Sequence, residues 1–522
     1  MMNLKNQPKR IISMALLAAL LGVGSSANGQ ESTYQEAKGA MKEGYWKLWN
    51  DDVQKQIDQN IDKNRKANAV VQISNAASGT NVHVEQISHD FIFGAHIFNY
   101  DQLGTEERNK RYKNLFGDLF NSATIAFYWK KFEMQHDRPR FKEEYWDSED
   151  FWNNSKDPKS QPHWRRPSPE AVIEFCERAG VRMHGHPIIW GNRKWHHPEW
   201  LIDLAPENEK AIINGWFPEG AKNKDQEDMS AEYKKLTADQ IQQRIPGFLK
   251  IMEDEFERRV VEIAQYYGDR IPSWDVVNES ATDYSLGVML PGKKVTKSHY
   301  GIMPGDYTFA AFKTAKAQFP KNVLLNINDY KNDKSYLDQT KDLIKRGMKI
   351  DILGSQMHLF NPKQCLDIAE GANIETPTIV KDKMKILSEA NLPIHLSEIT
   401  ITAPADDERG RKIQAVVARN LYRLWFSTEK MMGITWWNIV DDCGAPGEPT
   451  TSGLFTRNME PKPSYFALND LVNTEWKTKL DAKVENNKIS FRGFKGKYRL
   501  TWKDKDGNFR EQIVEMKKDV NI

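Results

Sequence analysis

Trp274-Asp275-Val276-Val277-Asn278-Glu279 reads as a short apolar strand that stops abruptly at two polar residues, Asn and then Glu. Working outward, similar short apolar runs recur at 91–95, 122–127, 181–189, 323–328, 352–356, 393–398 and 433–439. Stretches of helical period separate them, among them 169–179, 246–267, 307–318, 338–346 and 409–426. Eight strands alternating with helices predict an α/β fold, the (β/α)8 barrel. A chain of 522 residues with 39% hydrophobic content is long enough for that core and smaller appended modules. In such a barrel the quoted run is the fourth strand, and its terminal Asn278 and Glu279 stand at the C-terminal rim, where barrel active sites form.

A second carboxylate has the same placement. His395-Leu396-Ser397-Glu398-Ile399-Thr400-Ile401 is a buried run carrying Glu398, three βα units further on, in the seventh strand. Taken singly, a Glu at a strand end is usually a solvated rim residue. As a pair facing each other across the ring, two carboxyls are the minimum apparatus for hydrolysing a glycosidic bond: one protonates the leaving oxygen while the other attacks or activates water.

Bulk properties narrow the classes of partner. Lys and Arg total 74 against 72 Asp and Glu, so no net field favours a polyanion, and neither nucleic acid nor an anionic membrane is an expected partner. The 16 Trp offer flat apolar faces on which sugar rings can stack. Residues 1–29 read as a secretory signal peptide. Lys5, Lys9 and Arg10 precede the apolar run from Ile11 to Val23, which is too short to span a bilayer, and small residues follow with cleavage after Ala27 or Gly29. The expected product is an exported protein, periplasmic or secreted, with no membrane insertion once the signal is removed. Cys176, Cys365 and Cys443 lie in dissimilar contexts and support neither a disulfide framework nor a zinc site.

The barrel is expected over 91–475, preceded by a helical segment at 30–67 in which Ile57 and Ile61 face one side of a surface helix. Alternating runs at 69–73 and 82–87, around a Gly-containing loop, predict a β-hairpin within 68–90. Further strands at 488–491, 498–502 and 512–516 fall in 476–522. A hairpin is marginal alone, so the two ends are expected to share one small β-sandwich-like module. Long polar connections at 133–167 and 201–245 are expected as loops bordering the site.

The motifs around the two carboxylates resemble those of the glycoside hydrolase family 10 xylanases, in order, over about 91–473. Trp274 to Glu279 matches that family's acid/base motif without departure. Asn328-Asp329-Tyr330 and Gly354-Ser355-Gln356-Met357-His358 match its fifth and sixth strands, and Gly185-His186-Pro187-Ile188-Ile189-Trp190 is similar to its third. Ser397-Glu398-Ile399-Thr400-Ile401 is a looser counterpart of the nucleophile motif; Trp437-Asn438-Ile439-Val440-Asp441 and Pro461-Lys462-Pro463-Ser464-Tyr465 resemble the closing motifs. The resemblance implies a retaining glycosidase without metal or organic cofactor, with Glu279 as acid/base and Glu398 as nucleophile. It further implies Asn278 on the sugar 2-hydroxyl, His358 on Glu398, Gln356 on the floor, His186 and Trp190 toward the glycone, Trp437 as a platform with Trp436 behind it, and Lys130 as a donor to sugar hydroxyls.

The second strand departs from the family. Aligning Thr124 and Lys130 with its Thr-x-Glu-Asn-x-Met-Lys-Trp pattern puts Ala126 and Phe127 where a Glu and an Asn would grip the −2 sugar. A tryptophan over the aglycone side has no counterpart; Tyr128, Trp129, Trp146, Trp152 or Trp164 are candidates to replace it. Three readings follow. The first is an endo-acting β-1,4-xylanase or close relative on a β-linked polysaccharide or oligosaccharide. The second is a family-10 β-glycosidase acting on a modified xylan, oligosaccharide or conjugate. The third is a non-catalytic glycan-binding protein, for which an acid and a nucleophile would have no use.

Overall fold

The computed structural model describes residues 34–218, 229–285 and 295–522; the signal-peptide reading of 1–29 lies outside them. Eight parallel strands form the centre: β1 Ile92–His96, β2 Ser122–Ala126, β3 Arg182–His186, β4 Ser273–Asn278, β5 Leu324–Asp329, β6 Ile352–Leu359, β7 Ile394–Ile401 and β8 Met431–Trp436. Each pairs with the next, and β8 pairs with β1, so the ring closes and the barrel has no edge strand. The apolar runs follow from this layering, since a barrel strand is covered by the packed interior on one side and by helices on the other; β2 and β7 are buried along their whole length.

The surrounding helices are α1 Glu106–Asp118, α2 Pro169–Ala179, α3 Pro246–Tyr267, α4 Tyr307–Gln318, α5 Lys334–Lys345, α6 Pro377–Ser388, α7 Glu408–Ser427 and α8 Pro463–Asp470. Proline opens α2, α3, α6 and α8 at a first-turn position, where its missing N–H costs nothing and its fixed φ suits the helix. The third apolar run divides into β3 and a short strand, Ile189–Trp190, because Pro187 between them has no N–H to donate. Trp274, fully buried, lies across Gly185 so closely that a Cβ there would sit 2.2 Å from the indole. Glycine at 185 is what lets β3 and β4 meet.

The connections expected as loops at 133–167 and 201–245 carry short helices, including Glu149–Asn154, Glu207–Trp216 and Ala238–Arg244. Ser148 and Thr237 cap two of them through side-chain oxygens, and Trp152 and Trp216 are buried beneath them. Among the described residues of these connections, polar composition reflects solvated outer faces of short helices.

Of the three sheets outside the barrel among the described residues, two join the chain ends. Lys66–Gln72 pairs antiparallel with Lys488–Phe494 and parallel with Val520–Asn521. Asn81–His89 sits between Lys479–Lys483 and Gly496–Lys503, which in turn pairs with Phe509–Met516. The expected hairpin is therefore corrected: Lys66–Gln72 and Asn81–His89 belong to different sheets. The turn between them reverses the chain, but their alternating Ala67, Ala69, Val71, Val82 and Val84 bury fully only when the two strands face one core filled by Ile489, Phe491, Leu500 and Val514. Asn81–His89 runs directly into β1, so this module adjoins the N-terminal ends of the barrel strands. Ahead of it, Asp51–Arg65 buries Ile57 and Ile61 and bonds to α7 through Asn64 on the Ser427 carbonyl and Asp58 on Arg423.

Candidate active site

The C-terminal ends of the strands enclose a cleft of about 510 Å³ containing both Glu279 and Glu398. Glu279 is the first residue past β4 and has φ of 55°, the left-handed region, which costs a non-glycine residue about 1 kcal/mol. Its backbone N–H donates to the Asn328 carbonyl at 2.7 Å, fixing the bend that aims the side chain inward. Glu398 lies within β7, where the register slips against β6 between Ser355 and Gln356 and against β8 between Leu396 and Ile399. Those irregularities turn a residue in the body of the strand toward the cleft.

One amide nitrogen joins the two acids. Gln356 Nε2 donates to Glu279 Oε1 at 3.1 Å and to Glu398 Oε1 at 2.9 Å, so those oxygens are at most about 6 Å apart. Asn328 Nδ2 donates to Glu398 Oε1 at 2.9 Å and to Asn278 Oδ1 at 2.9 Å, while Asn328 Oδ1 accepts from Ser397. With Gln356 also donating to Asn278 Oδ1 at 3.3 Å, the Asn278 oxygen is committed to the floor and its amide N–H groups remain for a ligand.

Two imidazoles flank Glu398. His358 Nε2 lies 3.5 Å from Oε2, its other nitrogen bonded to Thr400 at 2.9 Å and its ring stacked on Phe360. His186 Nδ1 is held by Asp275 at 2.8 Å, which directs Nε2 to 3.6 Å from Glu398 Oε1. Burial disfavours protonation of His186, but the charges of Glu398 and Asp275 outweigh it and raise its pKa. Asp275 serves His184 as well, at 2.9 Å; burial would raise its pKa, yet the two imidazoles hold it below the usual carboxylate range. For Glu279 the direction is upward, from burial first and from the negative charge of Glu398 second, against the hydrogen bonds of Tyr300 and Gln356.

The structure therefore brings Glu279, Glu398, Asn278, Gln356, His358, His186, Trp190 and Trp437 to one cleft. Trp437 stands edge-on to His186 at 5.5 Å, and Trp436 is buried behind it with its indole N–H on the Asn438 carbonyl. Lys130 is placed apart from them. It sits in the short helix Trp129–Phe132, ion-paired with Glu199 at 2.9 Å, on a neighbouring cavity with Arg193, Lys194 and His197. The nearby carboxylate on the 199 segment, which no strand-two motif reveals, draws it there.

Phe127 is likewise not a cleft residue; it packs against Trp274 and Tyr267 in the helix layer, while Ala126 and Tyr128 face the site. Of the aromatic candidates Tyr128 lines the cleft, whereas Trp129, Trp146, Trp152 and Trp164 lie outside its lining. Sequence reasoning missed Tyr300, whose hydroxyl donates to Glu279 Oε2 at 2.6 Å. It comes from the hairpin Val295–Ser298/Gly301–Pro304, in a stretch with no assigned element and no local sign of its role. Asn328, quoted only as part of a motif, is a floor residue in its own right.

The Glycosyl hydrolase family 10 model matches residues 85–471, and the chain belongs to that family of glycosidases. It is 25% identical over 320 residues to endo-1,4-beta-xylanase B of Thermotoga neapolitana, covering 59% of this chain and 74% of the relative. It is 23% identical over 312 residues to endo-1,4-beta-xylanase A of Thermoanaerobacterium saccharolyticum, covering 58% of this chain but 22% of that much longer relative. Among solved structures, xylanase 10B from Thermotoga petrophila RKU-1 in complex with xylobiose aligns at 17% identity with a TM-score of 0.49, over 74% of this chain and 95% of that one.

Proposed function

We propose that the protein is an exported, retaining endo-acting glycosidase that cleaves β-1,4-linked xylan or a closely related polysaccharide. The observation that carries this reading is the single Gln356 amide bonded to both carboxylates. Their facing oxygens, within about 6 Å, suit the separation of roughly 5–5.5 Å used when one carboxylate attacks directly. They leave little space for the intervening water that separations of roughly 6.5–9.5 Å accommodate.

In the first step Glu398 attacks the anomeric carbon while Glu279 gives its proton to the departing glycosidic oxygen, leaving a glycosyl ester on Glu398. In the second, Glu279 takes a proton from water, the oxygen of which displaces Glu398 and returns the sugar with its original configuration. Burial and the negative charge of Glu398 raise the pKa of Glu279, which favours the protonated form an acid requires. Asn328, Gln356 and the two histidines stabilise the anion of Glu398, and the free Asn278 amide is available to the 2-hydroxyl, a bond that strengthens as the transition state forms.

The test is Glu398→Ala assayed on an activated aryl β-xyloside with and without azide. Loss of turnover, restored by azide as the α-glycosyl azide, is expected; undiminished activity rejects the assignment. A second reading, a β-glycosidase on a modified or short substrate, is favoured by one observation: Ala126 at the end of β2 offers a neighbouring sugar no hydrogen bond. A product profile on xylans, mixed-linkage glucans and aryl glycosides separates the two.

A further inference from the structure

The connection between β2 and α2 passes the cleft residue Tyr128 at Arg165 and Arg166, and it is built rigidly. Arg165 has φ of 61°, again the left-handed region. Its N–H donates to Gln102 Oε1 at 2.8 Å, and its buried guanidinium donates to Asn438 Oδ1 at 2.9 Å and lies 3.6 Å from Glu448. A turn closed by Arg166 N on the His163 carbonyl then delivers the Arg166 side chain to a set position. Its guanidinium carbon lies 3.7 Å from the centroid of the cleft residue Tyr128 and 5.2 Å from that of Phe98.

Arg166 is a cation with no directly ion-paired carboxylate among the described residues. One of its nitrogens donates to the Arg165 carbonyl at 2.8 Å. Glu448, the acid at this end of the cleft, is already engaged by Arg165, by Asn438 Nδ2 at 3.0 Å and by the Ala445 N–H at 2.7 Å. Burial lowers the pKa of Arg166 to about 10, opposed by Tyr128 and Glu448 and aided by Arg165, so it stays charged at neutral pH. The ring of Tyr128 offsets only part of the lost hydration.

This wall belongs to β8, β1 and β2, across the ring from Glu279, Tyr330 and Phe360 on the leaving-group side. On the proposed reading of Glu279 as the acid, it is the glycone side. Ala126 there gives a neutral sugar nothing polar to hold. We propose that Arg166 reads an anionic substituent: the sugar on the glycone side of the cleaved bond carries a carboxylate or sulfate group that pairs with the guanidinium stacked on Tyr128. This inference rests on the glycosidase reading of the same cleft.

The test uses the full chain carrying Glu398→Ala, so that ligand binds without turnover, with calorimetric titration of three β-1,4-xylo-oligosaccharides. One carries a glucuronate at its non-reducing end, the second is the same compound with the carboxyl reduced to an alcohol, and the third carries a sulfate ester in place of the acid. Expected is at least one acidic compound bound about tenfold or more tighter than the reduced one, as a charged hydrogen bond contributes. Arg166→Gln should erase the preference without changing affinity for the reduced compound, and Arg166→Lys should keep part of it. Which acid is preferred distinguishes carboxylate from sulfate. Equal affinities, or a preference that survives Arg166→Gln, overturn the proposal while hydrolysis of an aryl β-xyloside by the unsubstituted protein leaves the glycosidase reading standing. No binding of any of the three, together with no such hydrolysis, overturns both.

Discussion

The Tyr300 hydroxyl donates to Glu279 Oε2 at 2.6 Å, which ties a hairpin outside the barrel ring to the carboxyl proposed as general acid. This bond favours the ionised form of Glu279, whereas burial and Glu398 favour the protonated one. The proposed first step needs the proton, so activity falls as pH rises through the pKa of Glu279. Tyr300→Phe removes a stabiliser of the anion and should move that alkaline limb upward, by about half to one pH unit. The kcat/KM profile against pH measures it; a limb that moves downward contradicts the relationship.

Replacing Glu279 by Ala should depend on the leaving group. A substrate with a poor leaving group needs protonation and should lose about 10²- to 10⁴-fold in the glycosylation step. An aryl glycoside with a highly acidic phenol should lose far less in that step. Rate constants for a series of aryl glycosides of graded phenol pKa give the comparison, and equal losses across the series count against an acid role.

Asn328→Ala should cost both stability and rate. The change removes one of two partners from Ser397, which keeps the Ser355 carbonyl, and from the Asn278 oxygen, which keeps Gln356, and takes one donor from Glu398, a net loss of about 0.5–1.5 kcal/mol per hydrogen bond. The melting temperature should fall, and kcat should fall more than KM changes. An unchanged melting temperature with full activity would show that the floor network is replaceable.

Lys130→Ala should change kcat/KM on a neutral xylo-oligosaccharide less than about twofold, because the ammonium is spent on an exposed Glu199 outside the cleft, an ion pair contributing on the order of 1 kcal/mol or less. A loss of tenfold or more would mean that the side chain swings into the cleft when substrate binds.

Deleting residues after 476 should strip Lys66–Gln72 of both neighbouring strands and Asn81–His89 of its partners. Limited proteolysis is expected to cut within 66–89 in the truncated chain and not in the full one. Equal protection in both would show that the N-terminal strands hold without their C-terminal partners.

Much of the barrel was legible because its strands obey a local rule. A strand covered on both sides reads as a short apolar run, and a polar residue that ends such a run stands at the rim, as Asn278 and Glu279 do. The same rule failed at β2. Phe127 and Tyr128 are adjacent and both aromatic, and only the packing of Trp274 and Tyr267 decides that the first turns to the helices while the second turns to the cleft. Turn chemistry at 75–81 suggested a hairpin, yet burial of the inner faces against strands more than 400 residues away prevailed.

By itself, then, the sequence determined the parallel barrel, the placement of Glu279 and Glu398 at strand four and strand seven, and the family these motifs mark. Only the tertiary structure decided which donors surround the two acids, that Tyr300 reaches Glu279, that Lys130 pairs with Glu199, and that Arg166 stands over Tyr128 with no ion-paired carboxylate among the described residues. The physical reason is range. Periodicity and strand-end chemistry are set by neighbours a few residues apart, whereas the charge and hydrogen-bond partners of a side chain are set by whatever distant segment the closed ring brings beside it.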